Sequence, residues 1–128
     1  MFRDEYIPLI KTLVQSTKTG LLVWSKGQSH LAYTSQPTPE QMILVDKYFS
    51  IVDEQPNTCI NLTIFASDDT IIDEIVLCKA VDEPNNFDLL DSLYQEVETQ
   101  HARNSNTKVP PVLNHITESL SAQLLHAH

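Results

Sequence analysis

The residue types able to do chemistry are few and scattered. Five histidines stand at His30, His101, His115, His126 and His128, and two cysteines at Cys59 and Cys78. A thiol nucleophile needs a base within hydrogen-bond reach, and no spacing here brings a histidine to either thiol. His101 and His115 flank a polar stretch and would meet only if two helices packed antiparallel. His126 and His128 can take up a metal adventitiously but make a poor built site. Asp68, Asp69, Asp73 and Glu74 gather four carboxylates near one hairpin end, the oxygen set a hard cation wants. Aspartate also favours turns, so a solvated turn is the simpler reading. Asp82, Glu83, Asp88 and Asp91 likewise read as the start of a helix.

Recognised catalytic spacings are missing. The sequence holds no GxGxxG, no Walker loop, no HExxH and no GxSxG. Gly20 and Gly27 are the only glycines, which excludes a glycine-rich phosphate cradle. Neither cysteine belongs to a CxxC, which excludes the usual structural zinc modules. The sequence therefore nominates no catalytic residue, no cofactor and no metal.

The formal net charge is −9, from 17 acidic and 8 basic side chains. Proteins that grip nucleic acid through its phosphates need clustered Lys and Arg, so direct nucleic-acid binding is not expected. Adhesion to an anionic membrane is disfavoured for the same reason. A basic protein partner, or mimicry of a phosphate backbone, is compatible with the charge, although solubility alone explains it. No run of about 18 apolar residues is present to span a membrane. The opening MFRDEYIPLI lacks the basic start and small-residue cleavage site of a secretory signal, so a cytoplasmic location is expected. A chain of 128 residues fits one domain, 1–128, with a real core.

The elements must position whatever site exists. The stretch 58–78, TCINLTIFASDDTIIDEIVLC, reads as a hairpin. Ile60, Leu62 and Ile64 alternate with Asn61, Thr63 and Phe65, a period of two. A two-residue turn at Asp68-Asp69 makes opposing residue numbers sum to 137. Ile60, Leu62 and Ile64 then face Leu77, Ile75 and Asp73. The other face sets Cys59, Asn61, Thr63 and Phe65 against Cys78, Val76, Glu74 and Ile72. In that register Cys59 and Cys78 are opposed and could bridge; two reduced thiols are the preferred reading for a reducing compartment.

Residues 4–17 read as an amphipathic helix, with Tyr6, Leu9, Ile10, Leu13 and Val14 in one stripe. Asp4 is the expected cap, Pro8 fits near the first turn, and Gly20 is the stop. Residues 21–34 read as a hairpin turning at Gly27-Gln28, with Trp24, Leu31, Leu22 and Tyr33 on one core face. The stretch 42–53 is ambiguous. Thr38-Pro39-Glu40-Gln41 looks like a capping box, and Met42, Val45, Phe49 and Val52 like a helical stripe. The strand formers Tyr48, Phe49, Ile51 and Val52 tip the reading to a strand at about 44–53, and Asp53-Glu54-Gln55-Pro56-Asn57 is then the turn into the next hairpin. Asn86 is expected to cap a helix over 87–101, striped by Phe87, Leu90, Leu93, Tyr94 and Val97. A polar linker at about 102–110 then precedes a C-terminal helix carrying Leu113, Ile116, Leu120 and Leu124.

The expected fold is α+β: an antiparallel meander of four or five strands, with an N-terminal helix and two C-terminal helices on or beside one face. The function expected is a non-enzymatic protein-interaction or accessory, regulatory domain. Its candidate surface is Asn61, Thr63 and Glu74 on the mixed hairpin face, together with Leu113, Ile116, Leu120 and Leu124. The partner is another protein or a second copy, because a meander has edges. One alternative is an acidic inhibitor or immunity-type protein that blocks a basic surface. Another is a small hydrolase or ligand-binding domain, with His30, Tyr33, Cys59 or Glu74 lining a pocket.

Overall fold

A computed structural model describes residues 2–108. The order is α1 (Tyr6–Lys18), β1 (Ser25–Lys26), β2 (Ala32–Thr38), β3 (Gln41–Val52), β4 (Gln55–Ala66), β5 (Ile71–Cys78) and α2 (Pro84–Lys108). The five strands form one antiparallel sheet in sequence order, β1-β2-β3-β4-β5, a pure meander. Both helices pack on one face. The N-terminal helix and one C-terminal helix are therefore present, and the expected helix with Leu113, Ile116, Leu120 and Leu124 lies outside the described residues. No helix among the described residues is long and apolar enough to cross a membrane.

The helical stripes behave as their spacing requires. Tyr6, Ile10 and Leu13 of α1, and Phe87, Leu90, Leu93, Tyr94 and Val97 of α2, are buried in one cluster with Ile43, Val45, Ile60, Leu62, Ile75 and Leu77. The helix ends differ from expectation. Asp4 makes no cap: Glu5 holds the N-cap position without a side-chain bond, and the Tyr6 and Ile7 amides donate to the Arg3 and Asp4 carbonyls. Gly20 does stop α1, at φ 81°, a left-handed geometry that costs glycine little. α2 begins at Pro84 rather than after Asn86, because proline suits the first helical position, where its missing N–H is not needed. The Phe87 amide then reaches back to the Glu83 carbonyl. At its other end α2 runs to Lys108, so residues 102–108, expected as linker, continue the helix.

The long central hairpin decides the ambiguous stretch. β3 and β4 pair along their full lengths, from Gln41 opposite Ala66 to Val52 opposite Gln55. The strand reading of 44–53 holds, and the capping-box pattern at Thr38–Gln41 is instead a tight turn at Pro39-Glu40. The hairpin turn is Asp53-Glu54 alone, both left-handed at φ 50° and 64°, the backbone of a type I′ turn. Pro56, expected in the turn, sits in β4 opposite Ile51. A two-residue turn directs the Gln55 and Asn57 backbone toward β3 and that of Pro56 outward. There β5 has already ended, so the proline removes no ladder bond.

The β4–β5 hairpin holds its expected register for an unexpected reason. Cys59 faces Cys78, Leu62 faces Ile75 and Ile64 faces Asp73, all summing to 137. The loop, however, is three residues long. The Ala66 amide donates to the Thr70 carbonyl at 2.8 Å, and Asp69 is left-handed at φ 66°. Asp68 Oδ1 accepts the Thr70 amide at 3.0 Å; hydrogen bonding from the Thr70 side chain, and then from this amide, holds the Asp68 carboxyl below the ordinary carboxylate range. Phe65 consequently faces Ile71, one residue out, and a bulge at Ile72 restores the register. The longer loop and the bulge cancel. The first hairpin is corrected more simply. Ser25 faces Thr34 and Lys26 faces Tyr33, so its loop spans 27–31 and Trp24 does not oppose Leu31. The shift is even, which keeps the face: Leu22, Trp24 and Tyr33 are buried in the core as expected.

One buried amide ties these pieces together. Gln100 of α2 is 6% exposed. Its Nε2 donates to the Thr17 carbonyl at 3.0 Å and the Leu22 carbonyl at 2.6 Å, while its Oε1 accepts the Trp24 amide at 2.9 Å. The Trp24 indole donates to Thr17 Oγ1 at 3.0 Å, which donates to the Leu13 carbonyl at 2.7 Å.

Two outcomes follow for stability. Gln100→Leu should destabilise the domain by about 2–4 kcal/mol in urea unfolding, since it leaves the buried Leu22 carbonyl and Trp24 amide unpaired and strips one of two donors from the Thr17 carbonyl. Replacing Asp53-Glu54 with Asn-Gly should stabilise it by about 1 kcal/mol, because those residues adopt the left-handed turn with less strain.

Candidate functional site

Both helices lie on one face of the sheet, and among the described residues no element lies over the other. The register assigns that face. It carries Ala32 and Thr34 from β2, and Met42, Leu44, Asp46, Tyr48 and Ser50 from β3. β4 adds Asn57, Cys59, Asn61, Thr63 and Phe65, and β5 adds Glu74, Val76 and Cys78. Tyr48 and Val76 are each 39% exposed, and Met42, Leu44 and Phe65 are half-buried. The strands place only two charges on the face, Asp46 and Glu74, and both are acidic.

The sequence-nominated hairpin residues are brought together here. Thr63 lies opposite Glu74, and Asn61 opposite Val76. Thr63 is buried and donates to Asn61 Oδ1 at 3.0 Å, whereas Glu74 is exposed. Leu113, Ile116, Leu120 and Leu124 lie outside the described residues. Leu44, Asp46, Tyr48 and Val76 were missed as a set. The even-numbered alternation Met42, Leu44, Asp46, Tyr48 carried the signal, but the competing helical stripe obscured it.

At the β1–β2 end, the open face deepens into a groove of about 710 Å³. Its floor is Ala32, Thr34, Met42, Leu44 and Phe65, and the 26–29 segment forms one wall, with Asp46 and Asp69 also lining it. Asp46 Oδ1 is enclosed and has no hydrogen-bond partner among the described residues.

At the β5 end, Cys59 and Cys78 form a disulfide with a Cα–Cα distance of 4.1 Å. This corrects the expectation of two reduced thiols. Cys59 directs its backbone toward β3, which makes Cys59–Cys78 a non-hydrogen-bonded pair, the closer of the two cross-strand spacings. Asn57 Oδ1 accepts the Ala80 amide and Asp82 Oδ2 the Cys78 amide, at 2.8 and 2.7 Å, fixing the chain as it leaves β5.

The other candidate groups are separated. His30 sits in the β1–β2 loop, its carbonyl taking the Lys26 ammonium. Tyr33 points into the helix side, edge-on to Tyr94 and His101. Cys59 and Glu74 occupy the open face, so the set His30, Tyr33, Cys59 and Glu74 does not converge on one pocket. The acidic cluster is divided as well: Asp73 faces the helices and accepts the Tyr6 hydroxyl at 3.0 Å, while Glu74 faces away. Burial and the neighbouring Asp73 raise the Tyr6 pKa above the ordinary phenol range. His115, His126 and His128 lie outside the described residues. Among the described residues no three His, Cys, Asp or Glu side chains are grouped to hold a metal.

Reduction with dithiothreitol, or the Cys59→Ser/Cys78→Ser pair, should cost about 2–3 kcal/mol in chemical unfolding. The Ile60–Leu77 and Leu62–Ile75 cross-strand contacts should persist in NMR spectra, because the ladder and core specify the register without the bridge.

No family model matches this chain, and neither the curated proteins nor the solved structures include a significant match to it.

Proposed function

We propose that this is a non-enzymatic protein-interaction domain, accessory or regulatory in role, and that the uncovered sheet face is its binding surface. One observation carries the reading. The two helices bury a single face of a five-stranded sheet, and the other presents Leu44, Tyr48, Phe65 and Val76 around Asn61, Thr63 and Glu74. Apolar side chains clustered among polar ones on an exposed face are the composition of an interaction surface. The preferred partner is a protein. A second copy remains the alternative within this reading, and neither nucleic acid nor membrane is proposed as a ligand.

The acidic-inhibitor reading is supported by a specific feature, the absence of any basic side chain from the strand positions of this face. It would make the partner a basic protein and the surface a blocking one. The hydrolase reading is not favoured, because its proposed residues stand on opposite sides of the sheet. A cytoplasmic location is the reading for a chain with reduced thiols; the Cys59–Cys78 disulfide favours an oxidising compartment instead.

The test is a charge placed at the centre of the face. Leu44→Arg and Val76→Arg should each abolish recovery of the partner from the native host in a pull-down quantified by mass spectrometry. Asp88→Arg, on the exposed side of α2, should leave it unchanged. Circular dichroism must show all three folded. Retention of the partner by both face variants would overturn the reading.

A further inference from the structure

We infer that the groove on the open face receives an extended basic segment of the partner, seating a Lys or Arg side chain at Asp46 with apolar residues to either side. This rests on the open face being the binding surface, and it names the chemistry of what binds there.

One carboxylate on the open face stands unbalanced. Asp46 lies in the middle of β3, between Ala32 and Asn61 across the two ladders. Its Oδ1 is enclosed and unpartnered, so Oδ2 is the oxygen a ligand can reach. A carboxylate partly withdrawn from water without donors is costly and gains most from an opposite charge. Among the described residues none is supplied nearby. Lys47 is the next residue, but alternation sends its side chain to the helix side. There its ammonium lies 3.7 Å from Asp91 and 4.5 Å from the centre of the Tyr94 ring. Lys26 lines the groove, but its ammonium is held by the His30 carbonyl and lies over the Tyr33 ring. The other carboxylate at the groove is Asp69.

The shape narrows the ligand. The volume of about 710 Å³ falls within the range that encloses a ligand group rather than a flat contact. Its floor is apolar apart from Thr34, and its wall is the 26–29 segment, Lys26-Gly27-Gln28-Ser29. A residue with an apolar stem and a cationic end satisfies both parts, since Lys and Arg bury their methylenes while the head finds the carboxylate. Alternating apolar neighbours would rest on Leu44 and Phe65. The net charge of −9 assists approach of such a segment at low salt.

The experiment uses the full chain and a fluorescein-labelled octapeptide alternating Val and Arg, read by fluorescence anisotropy. A control peptide carries Glu in place of Arg. The Arg peptide should bind at least tenfold more tightly than the control, and Asp46→Asn should weaken it at least fivefold. Asp69→Asn, which keeps a residue suited to the left-handed backbone, should weaken it by a smaller factor and serves if Asp46→Asn does not fold. Asp88→Asn removes one negative charge from α2 and should leave binding within twofold, separating the groove from general attraction. Amide shifts in NMR should centre on Ala32, Leu44 and Phe65. Equal loss in Asp46→Asn and Asp88→Asn, or shifts confined to the helix side, would overturn the proposal. A native partner released by Leu44→Arg and Val76→Arg yet indifferent to Asp46→Asn would sink the groove alone and leave the open-face reading standing.

Discussion

The Gln100 amide is the constraint on which the arrangement of helices over sheet depends. It projects from α2 where the end of α1 and the chain entering β1 converge, and it bonds to both. The Leu22 carbonyl and the Trp24 amide lie between α1 and β1, outside any helix or strand, while the Thr17 carbonyl also accepts the Gly20 amide at 3.3 Å. Buried backbone polar groups left unpaired cost more than most packing defects. An apolar residue at this position would fill the space and leave the entry to the sheet unpaired. Trp24 and Thr17 extend the network, so the large indole is fixed by its ring nitrogen as well as by packing. Along α2, Gln100 continues the stripe of Leu93, Tyr94 and Val97, which shows how one polar residue on an apolar face can be the specifying one.

From that junction the rest follows as one-sided burial. Both helices pack against the same face, so all the large fully buried aliphatics of the strands come from alternate positions. The tyrosines at this boundary are used twice. Tyr94 is completely buried, donates to the Leu31 carbonyl at 2.6 Å and receives the Lys47 ammonium on its ring. Burial raises its pKa beyond the ordinary phenol range. Tyr6 anchors α1 to β5 through Asp73. The remaining alternate positions are left to a face that no helix among the described residues covers, and its composition follows no core rule. Apolar, hydroxyl, amide and carboxylate side chains share it, with a disulfide at one end and a groove at the other. A structure that spends its helices on one side makes the other side the place where recognition chemistry can be displayed.

Much of this was legible in the residues. The helical stripes of α1 and α2, the meander order, the 58–78 hairpin and the core position of Trp24 all follow from periodicity, which is a local property. The groups of Asn61, Thr63 and Glu74 were legible because a strand alternates strictly. What misled was also local. Residues 38–53 carry a capping box and a helical stripe, and only pairing along the whole of β4 supplies the hydrogen bonds that make a strand of them. Pro56 looked like a turn, because its place beyond the end of β5 is set by a strand remote in sequence. The hairpin loop at Ser67–Asp69 was misjudged by one residue, and the bulge at Ile72 hid the error by restoring the register.

The sequence by itself determined which residues could share a face, since alternation and the 3.6-residue period are built into the backbone. It determined that the chain is acidic, that glycine-rich phosphate binding is excluded, and that Cys59 and Cys78 could be opposed. Only the tertiary structure decided which face the helices would cover, because that choice depends on how α1 and α2 meet at Gln100, 83 residues from Thr17. It decided that the cysteines are joined, that Asp73 and Glu74 part to opposite sides of the sheet while Asp68 and Asp69 stay in the loop, and that Asp46 has no counter-charge among the described residues. These are matters of distance between residues far apart in the chain. No pattern along the sequence can encode them, because the interactions come into being only when the sheet closes beneath its helices.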